Sequence, residues 1–278
     1  MRLHVPGTMK RIRRGRAPQA LMLFVVLAGA GCTTTLPESR MRVEPSDQFE
    51  AFLWNDPFPK LVVDVDHIAG LAPREDALDL LVERIREGTG KIDVTHDVPE
   101  EIPGLSRNDR RAWTYDEAWA IHTATYDLKA RRFGQGDTAF LHVVYLDGAF
   151  EQGTVDASGV EIEGVIFLFK DAYMAQEYRA PGESRSFPAV VERHVLIHEL
   201  GHVLGLVNCG IPMIMERENP ESRCHSRSKD SVMYSATLAQ YGFDRASDPG
   251  SAIRPTEAFD DADLGDLTAF RGKQARAR

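Results

Sequence analysis

Apolar and polar positions along the chain fall into a few regular patterns. Residues Lys60–Asp66 (KLVVDVD) are dense in β-branched side chains and bounded by turn formers, which predicts a strand. Leu78, Leu81 and Ile85 recur at helical spacing through Asp76–Glu87, with Pro73 suited to a first helical position and Gly88 to a stop. Tyr115–Ala130 reads as a second helix. Phe140–Leu146 reads as a strand closed by an Asp147-Gly148 turn. Val160–Phe169 (VEIEGVIFLF) is a near-continuous apolar run and is expected as one strand. Ser186-Phe187-Pro188 opens a long apolar helix reaching about Leu206, with Ser186 as its candidate cap. Residues 208–258 show little periodicity and are expected to be loop, and Phe259–Phe270 forms a short closing helix. No repeat or linker divides residues 48–278. Strands first, then a buried helix, then loops and a final helix predict a single α+β domain.

The first 31 residues have a different character. Lys10, Arg11, Arg13, Arg14 and Arg16 form a basic run, Ala20–Ala28 an apolar one, and Gly29, Ala30, Gly31 and Cys32 follow. That order reads as an export signal over residues 1–31, and its apolar part is too short for a mature membrane span. A cysteine directly after small residues resembles a bacterial lipoprotein signal, in which Cys32 would carry the lipid, although Gly29 stands where such signals usually have Leu. Ordinary cleavage near Ala30 is the alternative. Thr33 after the cysteine, rather than Asp, points to the outer membrane, with the protein periplasmic or surface-facing. Residues 32–47 then read as a tether.

Composition narrows the partners. The chain has 278 residues and a formal net charge of −9, but six of its 33 basic residues lie in the first 31, which hold no acid. Without them the body has 27 basic residues against 42 acidic ones, a net charge of −15. Duplex affinity comes largely from neutralising phosphates, so a body this acidic excludes nucleic acid as a partner. The remaining cysteines, Cys209 and Cys224, either pair in an oxidising compartment or stand as two buried thiols.

The chemistry concentrates at residues 198–202, His-Glu-Leu-Gly-His. Two histidines four apart share a helix face, about 6 Å apart along the axis, so their imidazoles can converge on one metal ion. Glu199 lies beside that ion rather than pointing at it, where it can serve as a general base towards water. Scattered polar residues on a surface helix would be the plain explanation. The flanking Val190, Val191, Val195, Leu196, Ile197, Leu200, Val203, Leu204 and Leu206 argue against it, since buried His and Glu need a compensating partner. His194 is about 12 Å along the axis from His202, too far for one ion to take all three, and is expected to be a core or supporting histidine.

HELGHVLGLVN at residues 198–208 resembles the signature HExxHxxGxxH of the metzincin zinc peptidases. Gly205 matches the glycine at which the active-site helix turns away. Ser231-Val232-Met233-Tyr234 resembles the turn whose methionine, here Met233, floors the zinc site. Val160–Phe169 resembles the edge strand that takes a peptide substrate in extended form, and residues 259–272 resemble the last helix. The resemblance implies a zincin-like catalytic domain over residues 48–278, with a twisted mixed sheet packed on the active-site helix, one catalytic Zn2+, and peptide bonds as substrate. The third ligand position of the signature is Asn208, a poor zinc ligand. His225, in surroundings that resemble a bacterial metzincin-like group with this departure, ranks first as replacement. Asn208 itself comes next, then the carboxylates Asp230 and Glu221. Tyr234 directly follows the methionine, one place early for a transition-state role, and is expected to be a core residue. The function implied is a zinc endopeptidase of the cell envelope held to the membrane by lipid on Cys32. The alternative is a zinc-binding, non-catalytic envelope adaptor, and an intact Glu199 favours the enzyme.

Overall fold

A computed structural model describes residues 45–108, 112–126, 134–151, 158–174, 187–235 and 256–274. Residues 1–31, Cys32, most of the expected tether and the candidate cap Ser186 lie outside the described residues, and the helix expected over Tyr115–Ala130 ends already at Thr125, where Tyr126 is extended at φ −62° and ψ 110°.

The elements in chain order are α1 (Pro45–Leu53), β1 (Lys60–His67), α2 (Glu75–Thr89), β2 (Asp93–His96), β3 (Glu100–Glu101), β4 (Ala112–Trp113), α3 (Tyr115–Thr125), β5 (Gly134–Gln135), β6 (Thr138–Leu146), β7 (Ala149–Phe150), β8 (Gly159–Ile162), β9 (Val165–Phe169), α4 (Lys170–Met174), α5 (Phe187–Val203), β10 (Glu218–Asn219), β11 (Ser222–Ser226) and α6 (Asp261–Gln274). The central sheet runs β2-β1-β6-β9-β8. Strands β2, β1, β6 and β9 are parallel and β8 is antiparallel at the edge.

This is a mixed α/β arrangement with a mostly parallel sheet, where the sequence suggested strands and helices grouped apart. The difference lies in β1-α2-β2, a parallel crossover unit. Its second strand, DVTH, is four residues long with one buried side chain, too little to read as a strand beforehand.

Period-two alternation sorts the sheet residues into two cores. Leu61, Val63 and Val65 of β1 and Leu141, Val143 and Tyr145 of β6 face α2 and α5. Val144 and Leu146 of β6 and Phe167 and Phe169 of β9 face the opposite side with Trp113 and Tyr115. Burying both faces explains the apolar density of β6 and β9.

Three expectations need correction. The run VEIEGVIFLF is not one strand but the hairpin β8–β9. Glu163 and Gly164 both have positive φ, 49° and 85°, and make the two-residue turn that right-twisted strands favour. Of these two strands β8, and not β9, lies at the sheet edge among the described residues. Gly88 does not stop α2. It sits inside the helix because a Cβ there would come within 3.2–3.4 Å of Leu267, Leu204 and Phe259. The stop is Gly90, at φ 70°, whose N–H donates to Arg86 O. Finally, part of the expected 208–258 loop forms the small β10–β11 hairpin. The first element, α1, buries Phe49, Ala51, Phe52 and Leu53, and Gln48 Nε2 donates to Val203 O at 3.0 Å, satisfying a carbonyl at the end of α5.

Among the described residues no helix is long and apolar enough to cross a membrane.

Candidate metal centre

Helix α5 is buried on nearly every face, with Val191, Val195, Leu196, Ile197, Leu200 and Val203 all in the core. Polar groups in such a setting require partners. Near the start of the helix they are charges of opposite sign. Lys170 Nζ lies 3.3 Å from Glu192, and Arg193 pairs with Asp76 and Glu257, each at 2.7 Å. Next to Arg193, His194 Nδ1 donates to Thr256 O at 2.7 Å.

His198 and His202 are oriented differently. His198 Nδ1–H donates to Val232 O at 2.7 Å, which leaves Nε2 as the unprotonated nitrogen. That nitrogen faces His202 Nε2 across 3.1 Å. Two nitrogens bound to one tetrahedral zinc at 2.0–2.1 Å stand about 3.3 Å apart, so the pair is already spaced as chelating ligands.

Beyond His202 the chain turns through a Schellman end. Leu206 N–H donates to Gly201 O at 3.0 Å and Gly205 N–H to His202 O at 2.9 Å, with Gly205 at φ 75°. Gly205 is required twice over, since a Cβ there would also meet the Phe49 ring at 2.7 Å. Val207 and Asn208 continue in the left-handed region, at φ 53° and 62°. For a β-branched valine this is a strained conformation. The turn leads to Cys209, which is joined by a disulfide to Cys224 with Cα atoms 4.9 Å apart. Glu218 accepts from Cys224 N at 3.0 Å and from Asn208 Nδ2 at 3.3 Å, tying the helix exit to β11.

His225, next to Cys224 on β11, thereby reaches the helix pair. Its ring centroid lies 5.2 Å from that of His198 and 4.9 Å from that of His202. One nitrogen from each of the three rings falls within 4.8 Å of the others. His225 Nδ1–H donates to Arg223 O at 2.8 Å, and its Nε2 is buried with no hydrogen-bond partner. An acceptor nitrogen left bare in a buried site among two other imidazoles fits a metal ion, which needs that lone pair.

Burial also sets the protonation. It pushes His198 and His202 below the usual imidazole value and His225 down to about 3, so all three are the neutral form that metals bind. It pushes His194 down to about 4. Glu199 is buried beside the pair. Desolvation, reinforced by the nearby Glu161 carboxyl, pushes its carboxyl up to about 8, while a hydrogen bond from the Glu161 backbone pulls the other way.

Ser231–Tyr234 forms the floor. Ser226 N–H donates to Met233 O at 2.8 Å, Tyr234 N–H to Ser231 O at 3.1 Å and Met233 N–H to Ser231 Oγ at 3.2 Å. Met233 is fully buried against Gly201, where any Cβ would collide with its sulfur.

The structure thus brings His198, His202 and His225 together with Glu199 beside them. Asn208 is exposed and turned to Glu218, and Glu221 and Asp230 are exposed, so none of the three joins the group. His194 stays outside it, its ring 6.2 Å from that of His198. Tyr234 is half-buried against the core. Two contributors escape sequence reasoning. The Val232 carbonyl leaves no trace in residue type. Gly201 stands inside the motif, but its need for a bare Cα depends on Met233, far along the chain.

No family model matches this chain, and no curated protein matches it. Among solved structures, archaemetzincin from Methanopyrus kandleri is similar at 14% identity and a TM-score of 0.43, over 76% of this chain and 95% of that one.

Proposed function

We propose that the protein is a zinc-dependent endopeptidase of the bacterial cell envelope, of metzincin type, held at the outer membrane by lipid on Cys32. The observation that carries the catalytic half is the convergence of three neutral imidazoles, one with an orphaned Nε2, next to a buried carboxyl. His198, His202 and His225 would hold the ion. Zinc bound there supplies Lewis acidity, which polarises a peptide carbonyl and draws the pKa of a water towards neutrality. The charge of an ion beside it would favour the carboxylate over the protonated form of the metal-free protein, and Glu199 would then accept a proton from the attacking water and pass it to the leaving amine nitrogen. Its shielding from bulk water keeps that proton from escaping between the two transfers. Met233 and the Val232 carbonyl hold the helix pair in orientation from below. The cellular half rests on the order of basic run, apolar run and Cys32 in the first 32 residues.

The test is Glu199→Gln, assayed on unfolded protein substrates with metal content measured in parallel. The variant should keep its zinc and lose activity by about 10²–10⁴-fold, the usual contribution of a general base. Cleavage at the wild-type rate would remove Glu199 from the base role. Zinc without cleavage in the wild type would favour the non-catalytic adaptor.

A further inference from the structure

Strand β8 ends one side of the sheet among the described residues, and its pairing with β9 fixes where its amides point. Phe169 N–H donates to Ser158 O at 2.9 Å, so Ser158/Phe169, Val160/Phe167 and Ile162/Val165 are the hydrogen-bonded pairs. Gly159 and Glu161 alternate with them, and their amides face away from β9, towards the free edge. That edge lies on helix α5. A Cβ on Gly159 would stand 2.5 Å from Val195 Cγ1 and 3.1 Å from both Glu199 Cγ and Glu199 Oε1. The Glu161 backbone N–H, on that same edge, acts on the nearby Glu199 carboxyl as a donor and favours its ionised form. The carboxyl of Glu161 is engaged elsewhere, accepting from Gly164 N at 2.6 Å. Gly159 has no positive φ, so its backbone does not call for glycine. The close approach does.

We propose that Gly159 and the outward backbone of β8 position Glu199: the bare Cα lets the strand edge settle on the helix, and the Glu161 N–H fixes the carboxylate. The effect on turnover rests on the peptidase reading above, whereas the contact itself does not. A further consequence is that the Glu161 N–H, which a peptide adding to β8 would otherwise use, is already committed within the protein.

The test pairs Gly159→Ala with Val195→Ala, because the second change removes the collision at Val195 and leaves the one at Glu199. Amide exchange at Glu161, zinc content and peptidase kinetics are measured on the zinc-loaded protein. In the wild type and in Val195→Ala the Glu161 amide should be protected, although it lies on a sheet edge. In Glu199→Ala and in the Gly159→Ala/Val195→Ala double variant it should exchange faster by about tenfold or more. The double variant should keep its zinc and lose about 100-fold in kcat with little change in KM, as expected when a reacting group is misplaced by about an ångström. A Glu161 amide that exchanges equally fast in wild type and Glu199→Ala overturns the proposal. So does a double variant with unchanged exchange and kcat. If the wild type cleaves nothing, the exchange data still decide the positioning claim, and that failure belongs to the peptidase reading.

Discussion

His225 is the residue whose removal separates a metal site from a buried histidine cluster. Its Nδ1 is held by the Arg223 carbonyl and its Nε2 points bare into the group. His225→Ala should weaken zinc binding by more than the roughly 10–100-fold seen when only a supporting partner of a ligand is lost. Asn208→Ala should change it little, because Asn208 is exposed and turned to Glu218. Competition against a chelator of known affinity measures both, and the reverse order of effects would move the ligand role to Asn208. At this scale the sequence was informative where the spacing is local. His198, Glu199 and His202 are readable because four residues of helix bring two rings to one face. His225 could be ranked first only through a resemblance, since an irregular stretch separates it from the helix and no periodicity predicts its return. Gly201 was unreadable because what it accommodates, Met233, approaches from a distant turn.

At the scale of elements, the apolar runs were legible as strands, but their ends depended on tertiary contacts. VEIEGVIFLF hid a hairpin because both its strands are buried, so nothing polar marks the turn except Glu163-Gly164. Gly88 looked like a stop because its close packing on Leu204 and Leu267 lies outside its own helix. Two predictions belong here. Gly201→Ala should lower stability by about 1–3 kcal/mol in denaturant unfolding, since the added methyl has only the buried Met233 to displace. Unchanged stability would mean that the floor turn does not press on the helix. Reducing the Cys209–Cys224 disulfide should cost about 3 kcal/mol in the chain-entropy picture for a loop of this length. It should also weaken zinc binding, because the bridge anchors Cys224, the neighbour of His225. Zinc affinity insensitive to reduction would show that β11 holds His225 in place unaided.

For the whole molecule, buried ionisable groups give the metal-free protein a stability optimum. Burial depresses His194 to about 4 and His225 to about 3. As pH falls below about 6.5, the unfolded chain takes up protons at these sites before the folded one does, so stability drops. Burial raises Glu161 to about 7 and Glu199 to about 8. These carboxyls stay protonated in the fold where the unfolded chain has released its protons, so stability also drops as pH rises from about 4.5 through those values. Thermal unfolding in chelator should therefore peak on the acid side of neutrality, and a melting temperature still rising at pH 8 would contradict this balance. The envelope assignment has its own check, since Cys32→Ser should release the protein from the membrane fraction. The central claim, that three histidines form a zinc site, is tested most directly by zinc stoichiometry in equilibrium dialysis of wild type and His225→Ala side by side. The account predicts one tightly held ion per wild-type chain and its loss from the variant at the same free zinc. No bound zinc in the wild type, or an ion held equally well without His225, would contradict it.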